Sequence, residues 1–206
     1  FPARRHHASD AEIRACIHWL ASFHATFLGA QPTGLWDVGT YWHLATRPDE
    51  LAAIEDPILR DAAPIIDARL NNCTYQTIVH GDAKIANFCF PTRPGAVAAV
   101  DFQYVGGGCG MKDVAYFLSS CLHSSELEQL AETYLDAYFR ALREALASRL
   151  SEEEKDALEL EWRALYPFAW ADFYRFLAGW SPQHWKIDTY SERMTLGVLA
   201  SIKDHL

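Results

Sequence analysis

One short island of β-type sequence is set into a chain that otherwise reads as helix, and this change of texture restricts the fold more than any other feature. Thr77-Ile78-Val79, Phe88-Cys89-Phe90 and Ala96-Val97-Ala98-Ala99-Val100 are brief β-type runs, separated by turn-forming residues that include Pro91, Pro94 and Gly95. Upstream, Ser9-Asp10-Ala11-Glu12 has capping-box spacing. Ile13, Ile17, Leu20, His24 and Phe27 then recur at three- and four-residue steps until Gly29 supplies a stop. Gln31 to Arg47 reads as an ordered aromatic loop, and Asp49 to Arg69 as helical pieces. Downstream, one helix is expected to about His123, a long one from Glu126 to Leu150, and another opened by Ser151-Glu152-Glu153-Glu154 that runs into the aromatic segment Trp162 to Trp180. A last helix, capped by Ser191, completes a fold read as α+β, mainly α.

With 206 residues, half of them hydrophobic, the chain can bury the core of one domain, or of one large lobe of a bigger one. The formal charge of −9 opposes a sequence-independent grip on nucleic acid, which depends on neutralising phosphates, and mildly favours a cationic partner. Five scattered cysteines without a C-x-x-C pair indicate neither a disulfide framework nor a zinc site, so a reducing cytoplasm is expected. No apolar run nears the roughly 18 residues of a membrane span, and no signal peptide is visible, so no membrane partner is expected. The chain starts at Phe1, as a trimmed protein would.

The island holds His80-Gly81-Asp82-Ala83-Lys84-Ile85-Ala86-Asn87, followed downstream by Val100-Asp101-Phe102. Phosphoryl transfer requires a carboxylate to orient or receive the nucleophile's hydrogen, oxygen ligands for magnesium, and cations facing the phosphates. An Asp and an Asn five residues apart on a tight loop can serve one cleft, and an Asp ending a later strand can join them as a second metal ligand. The spacing H-x-D-x-x-x-x-N alone would arise by chance in about two or three chains of this length in a hundred. The strand before the His and the strand ending at Asp101 lower those odds further.

Val79-His80-Gly81-Asp82 through Asn87, Val100-Asp101-Phe102-Gln103 and Asp113-Val114-Ala115-Tyr116-Phe117-Leu118 resemble the aminoglycoside phosphotransferase and choline kinase group of the protein-kinase-like superfamily, most closely the ecdysteroid-kinase-like phosphotransferases. Phe23-His24-Ala25, Gly39-Thr40-Tyr41-Trp42 and Trp170-Ala171-Asp172-Phe173-Tyr174-Arg175 extend the likeness over most of the chain. The resemblance implies that Asp82 is the catalytic base, that Asn87 and Asp101 hold Mg2+, and that ATP is the phosphate donor to a hydroxyl of a small acceptor. It places Lys84 near the γ-phosphate and gives His80 and Asp113 structural roles, His80 bracing the loop and Asp113 capping the next helix and anchoring the loop.

The chain also departs from that family. Its phosphate-covering glycine-rich loop and ATP-anchoring lysine lie on an upstream β-lobe of about a hundred residues, whereas here 79 residues precede His80 and the first lysine is Lys84. Gly106 to Gly110 fall after Asp101 and are not a displaced phosphate loop. The expectation is the C-terminal lobe of a kinase-like fold as a single domain over 1–206, poorly active alone. Two alternatives stand beside an enzyme: a degenerate lobe that only binds a ligand or protein, and a metal-dependent hydrolase built on the same ligands. Trp36, Trp42, Trp170, Asp172 and Tyr174 are candidate acceptor-binding residues, weighed against aromatic core and, for Asp172, against pairing with Arg175. Trp180 shares the aromatic alternative. Arg4 to His7 read as an exposed terminus.

Overall fold

The computed structural model describes residues 8–91 and 96–205; the Arg4–His7 terminus and the Pro94-Gly95 turn lie outside them. Seven α-helices occur among the described residues: α1 Asp10–Thr26, α2 Pro48–Ala52, α3 Pro57–Asn71, α4 Met111–Cys121, α5 Ser124–Ala145, α6 Glu152–Trp180 and α7 Thr189–Ile202. Four strands join them: β1 Thr77–Val79, β2 Phe88–Cys89, β3 Ala98–Ala99 and β4 Gly106–Gly108. The molecule is mainly helical with small antiparallel sheets, and among the described residues no helix is long and apolar enough to cross a membrane.

The local signals act where they stand in the sequence. Ser9 closes a capping box with Glu12 and starts α1, and Ser151 does the same with Glu154 at α6, satisfying N–H groups that a helix start leaves unpaired. One start differs from the sequence reading. Asp188 rather than Ser191 caps α7; Ser191 is its partner in the box, because the Asp188 carboxylate accepts from the Ser191 N–H.

The island is two sheets, and the expected arrangement is corrected in one respect. β2 pairs with β3, but β1 pairs antiparallel with the glycine strand β4, Thr77 opposite Gly108 and Val79 opposite Gly106. Glycine is a poor strand former, so a run of three gives no sequence cue. Here the missing side chains let another segment approach. The loop around Trp36 to Gly39 lies along β4, with Gly39 N–H donating to the Gly107 carbonyl at 2.8 Å and Gly107 N–H to the Trp36 carbonyl at 3.1 Å. A Cβ on Gly106 would overlap the Trp36 carbonyl oxygen.

Around this island α1 packs on α5, and α6 packs on α3, α4 and α7. Ile17, Leu20, Phe117, Tyr138 and Trp162 stand in one continuous core. A smaller aromatic cluster of Trp42, Tyr116, Phe173, Phe176 and Leu177 underlies the face on which the island opens.

Candidate active site

The segment from His80 to Asn87 leaves β1 as a tight loop rather than a strand because its ends are tied elsewhere. Gly81 has φ +81°, and a Cβ there would overlap the Tyr104 carbonyl, so the turn admits only glycine without strain. Asp113, fully buried in the first turn of α4, accepts from the N–H of His80 at 2.6 Å and of Gly81 at 3.0 Å. Its Oδ2 also lies 3.1 Å from Nε2 of His24, whose Nδ1 is 2.8 Å from the Tyr138 hydroxyl. Burial alone would raise the Asp113 pKa; the His24 hydrogen bond, electrostatic attraction from the His24 and His80 rings and the Gly81 N–H outweigh it and hold it below the ordinary carboxylate value. Asp113 therefore anchors the loop. It does not cap α4, whose N-cap is Gly110 with no side-chain cap.

His80 fixes the other end. Asp82 N–H donates to its Nδ1 at 3.2 Å, so Nε2 carries the ring hydrogen and donates to the Val100 carbonyl at 3.0 Å. The ring packs on Phe102 with centroids 4.6 Å apart. This holds the segment before Asp101 against the loop, as does Val100 N–H on the Asn87 carbonyl at 2.9 Å.

Asp82 is 2 % exposed and has two different oxygens. Oδ2 receives Lys84 Nζ and Asn87 Nδ2, both at 2.9 Å. Oδ1 is buried and makes no hydrogen bond of good geometry among the described residues, the Tyr116 hydroxyl being a weakly interacting neighbour of the carboxylate. Asn87 Nδ2 also donates to the Asp82 carbonyl at 2.8 Å, which fixes the amide's orientation and leaves its oxygen available to a cation. Asp101 is exposed and left-handed, with φ +66°. Thr40, with φ +116°, donates its N–H to Tyr104 beside Gly81. For a β-branched residue that conformation is rare, and strain of this kind collects at functional sites.

A cleft of about 580 Å³ is lined by Asp82 and Lys84 from the loop, Tyr41 and Tyr104 beside it, Tyr116 from α4, and residues of α6 and the loop after it. The Tyr41 hydroxyl donates to that of Tyr116 at 3.3 Å. Burial lifts the Tyr41 pKa to about 12; burial and then the charges of Tyr41 and Asp82 raise that of Tyr116. Both phenols therefore keep their protons near neutrality and act as hydrogen-bond groups. No group of three or more His, Cys, Asp or Glu among the described residues could hold a metal unaided. Magnesium takes one or two side-chain oxygens and completes its shell with water and phosphate. The carbonyl oxygen of Asn87 and the carboxylate of Asp101 fit such an ion.

The expected acceptor-binding set is largely corrected by burial. Trp42 is fully buried, donating from Nε1 to Asp172 at 2.8 Å, and Trp170 is 2 % exposed against Tyr190. Both belong to the core because helix packing encloses their faces. Asp172 is buried with its oxygens on Arg175 at 2.6 and 3.0 Å and Lys112 at 4.0 Å, the pairing alternative rather than a cleft group. Tyr174 points toward Asp56 and Glu192, whose charges, after burial, raise its pKa, and it does not line the cleft. Trp36 is half-exposed, in a separate surface depression with Phe102. The aromatic groups that do line the cleft include Trp180 and Trp185, joined by His184 and Lys186. Trp185, His184 and Lys186 were not singled out in the sequence; a lysine set between Trp185 and Ile187 is the signal that could have drawn notice to it.

No curated protein and no solved structure matches this sequence. The profile of the ecdysteroid kinase-like family, a kinase-like phosphotransferase family, matches residues 39–150, which take in the loop, Asp101, the glycine strand and α4. With that match extending over more than half of its residues, and with loop and anchor disposed as described, the chain belongs to the ecdysteroid kinase-like family.

Proposed function

We propose that the described residues form the acceptor- and metal-bearing lobe of an ATP-dependent small-molecule kinase, with Asp82 as the base that receives the acceptor hydroxyl's proton. The observation that carries this reading is the asymmetry of Asp82. One oxygen is clamped by Lys84 and Asn87, and the other is buried at the cleft with no hydrogen bond of good geometry. A hydroxyl entering the cleft supplies a well-placed donor, and its hydrogen bond aligns the oxygen for attack. Family membership supports a phosphotransferase at this coarse level.

Each neighbour then has a task. Asn87 keeps the carboxylate in one rotamer while offering its own carbonyl oxygen to the ion. Asp101, on its left-handed turn, offers a second oxygen from the open side. Asn87 and Asp101 would hold magnesium, and the ion would supply charge neutralisation for the transferring phosphate. The Lys84 ammonium, 39 % exposed and already at Asp82, is placed to exchange that contact for a phosphate oxygen.

The test is ATP consumption by the full-length protein across a panel of hydroxyl compounds, with Asp82→Asn and Asn87→Ala beside the wild type. Loss of the base is expected to cost about 10²- to 10⁴-fold in kcat without unfolding the protein. An Asp82→Asn variant that turns over at the wild-type rate sinks the assignment.

A further inference from the structure

Lys186 lies in the segment between α6 and α7 and is 9 % exposed, with Nζ 4.4 Å from the ring centre of Tyr116, 5.3 Å from Phe173 and 5.6 Å from Trp185. It lines the cleft that holds Asp82. No hydrogen bond joins its ammonium to an oxygen among the described residues; ring faces lie against it, and Cys121, Lys84 and Asp82 act on its charge from further off. Such faces attract a cation, by about 0.5 to 2 kcal/mol, but leave its directional hydrogen bonds unmade. Lys112 Nζ is a buried atom without a hydrogen-bond partner and Lys186 Nζ is not, so the Lys186 ammonium opens on the cleft, where an anionic oxygen can replace the water that reaches it.

We propose that Lys186 is the specificity-determining residue of the cleft, selecting an acceptor that bears a carboxylate-type anion beside its phosphorylatable hydroxyl. This rests on reading the cleft as the acceptor site. The anionic oxygen completes the Lys186 shell with charge-assisted bonds, roughly twice as strong as neutral ones. An acceptor amine at the same place meets like charge, with the ring faces already taken. Inside the cleft Lys84 is paired with Asp82, so the ammonium form of Lys186 is what opposes the cationic partner that the whole-chain charge of −9 favours. His184 stacks on Trp185 with centroids 5.9 Å apart, Trp180 lies tilted beside His184 at 6.1 Å, and the exposed indoles of Trp180 and Trp185 offer aromatic surface for the acceptor's ring body.

The groups facing Lys186 are Cys121 from α4, Lys84 and Asp82 from the loop, and His184 on its own segment. Burial lowers its pKa to about 7; Cys121 and Asp82 oppose the shift and Lys84 adds to it. Anion binding by the free ammonium therefore weakens as pH rises above that value.

A nucleotide's terminal phosphate offers the same chemistry as a carboxylate, so the experiment separates the two. Binding to the full chain is measured by calorimetry for para-(hydroxymethyl)benzoate, its methyl ester, para-(hydroxymethyl)benzylamine and tripolyphosphate, with wild type, Lys186→Met and Lys186→Arg. The expected result is benzoate about tenfold tighter than ester, with the amine weakest. Lys186→Met removes the difference and leaves tripolyphosphate binding unchanged. Lys186→Arg keeps the preference and makes it insensitive to pH between 7 and 9, where the wild type loses it. The proposal is overturned if the ester or the amine equals the benzoate, if none of the three binds, if the preference survives in Lys186→Met, or if that variant loses tripolyphosphate instead. These measurements need no turnover, so they fail independently of the Asp82 assignment.

Discussion

Replacing Asp113 with alanine removes one carboxylate and strands three buried donors. The His80 and Gly81 N–H groups and the His24 ring all lose an acceptor that is wholly enclosed. A hydrogen bond to a charged group contributes about 1.5 to 3 kcal/mol, and deleting one partner of a buried charged cluster typically costs about 3 to 5 kcal/mol, so the expected loss is about 4 kcal/mol. Against a total of about 5 to 15 kcal/mol for a natural domain, that is a large fraction of the stability. With a urea slope near 3 kcal/mol per molar, the unfolding midpoint falls by more than about 1 M. Asp113→Asn is informative because it keeps the volume: its oxygen can accept from one N–H, but its own amide hydrogens face the other donor, so it too is destabilised. The pH dependence follows from the sign of the shift. The folded pKa of Asp113 is depressed, so its contribution is present above the ordinary carboxylate value, about 4, and is lost as pH falls through the folded value. Wild type and Asp113→Ala should therefore converge in acid. A midpoint shift below about 0.3 M at neutral pH, or a gap that widens in acid, would refute the anchoring role.

Other variants probe separate parts of the fold. Asp172→Ala leaves Arg175 and Lys112 as uncompensated buried cations, a cost of about 3 to 5 kcal/mol that lowers Tm by about 10 °C; a drop under about 2 °C in calorimetry would contradict it. Gly81→Ala forces a Cβ onto the Tyr104 carbonyl at φ +81° and should cost about 2 kcal/mol or more by urea unfolding, a neutral result refuting the close approach. Lys186→Met should stabilise the protein near neutral pH by on the order of a few kcal/mol. The native pKa, lowered to about 7, penalises the folded ammonium at any pH below the ordinary lysine value of 10.5, most fully below 7. The advantage should shrink toward pH 10, and an advantage that grows with pH would exclude that origin.

Cap residues and motif spacing were legible because they act within a few residues. Ser9 with Glu12 and Ser151 with Glu154 start helices wherever they stand, and the Asp82-to-Asn87 interval is set by the local turn. The pairing of β1 with β4 was not legible, since glycines carry no strand pattern and their partner lies far along the chain. Burial sorted the aromatic residues in the same non-local way. Trp42 and Trp170 are the same residue type as Trp180, yet packing encloses the first two and leaves Trp180 on the cleft.

The sequence by itself determined the helical class, the loop that bears Asp82 and Asn87, and the likeness to a phosphotransferase family, all of which rest on short-range chemistry. Only the tertiary structure decided that Asp113 holds that loop from a helix more than thirty residues away. It alone left one oxygen of Asp82 without a hydrogen bond of good geometry and brought Lys186, a hundred residues downstream, over the same cleft. Those contacts come from enclosing one segment with another, and no periodicity within either segment encodes which partner will arrive.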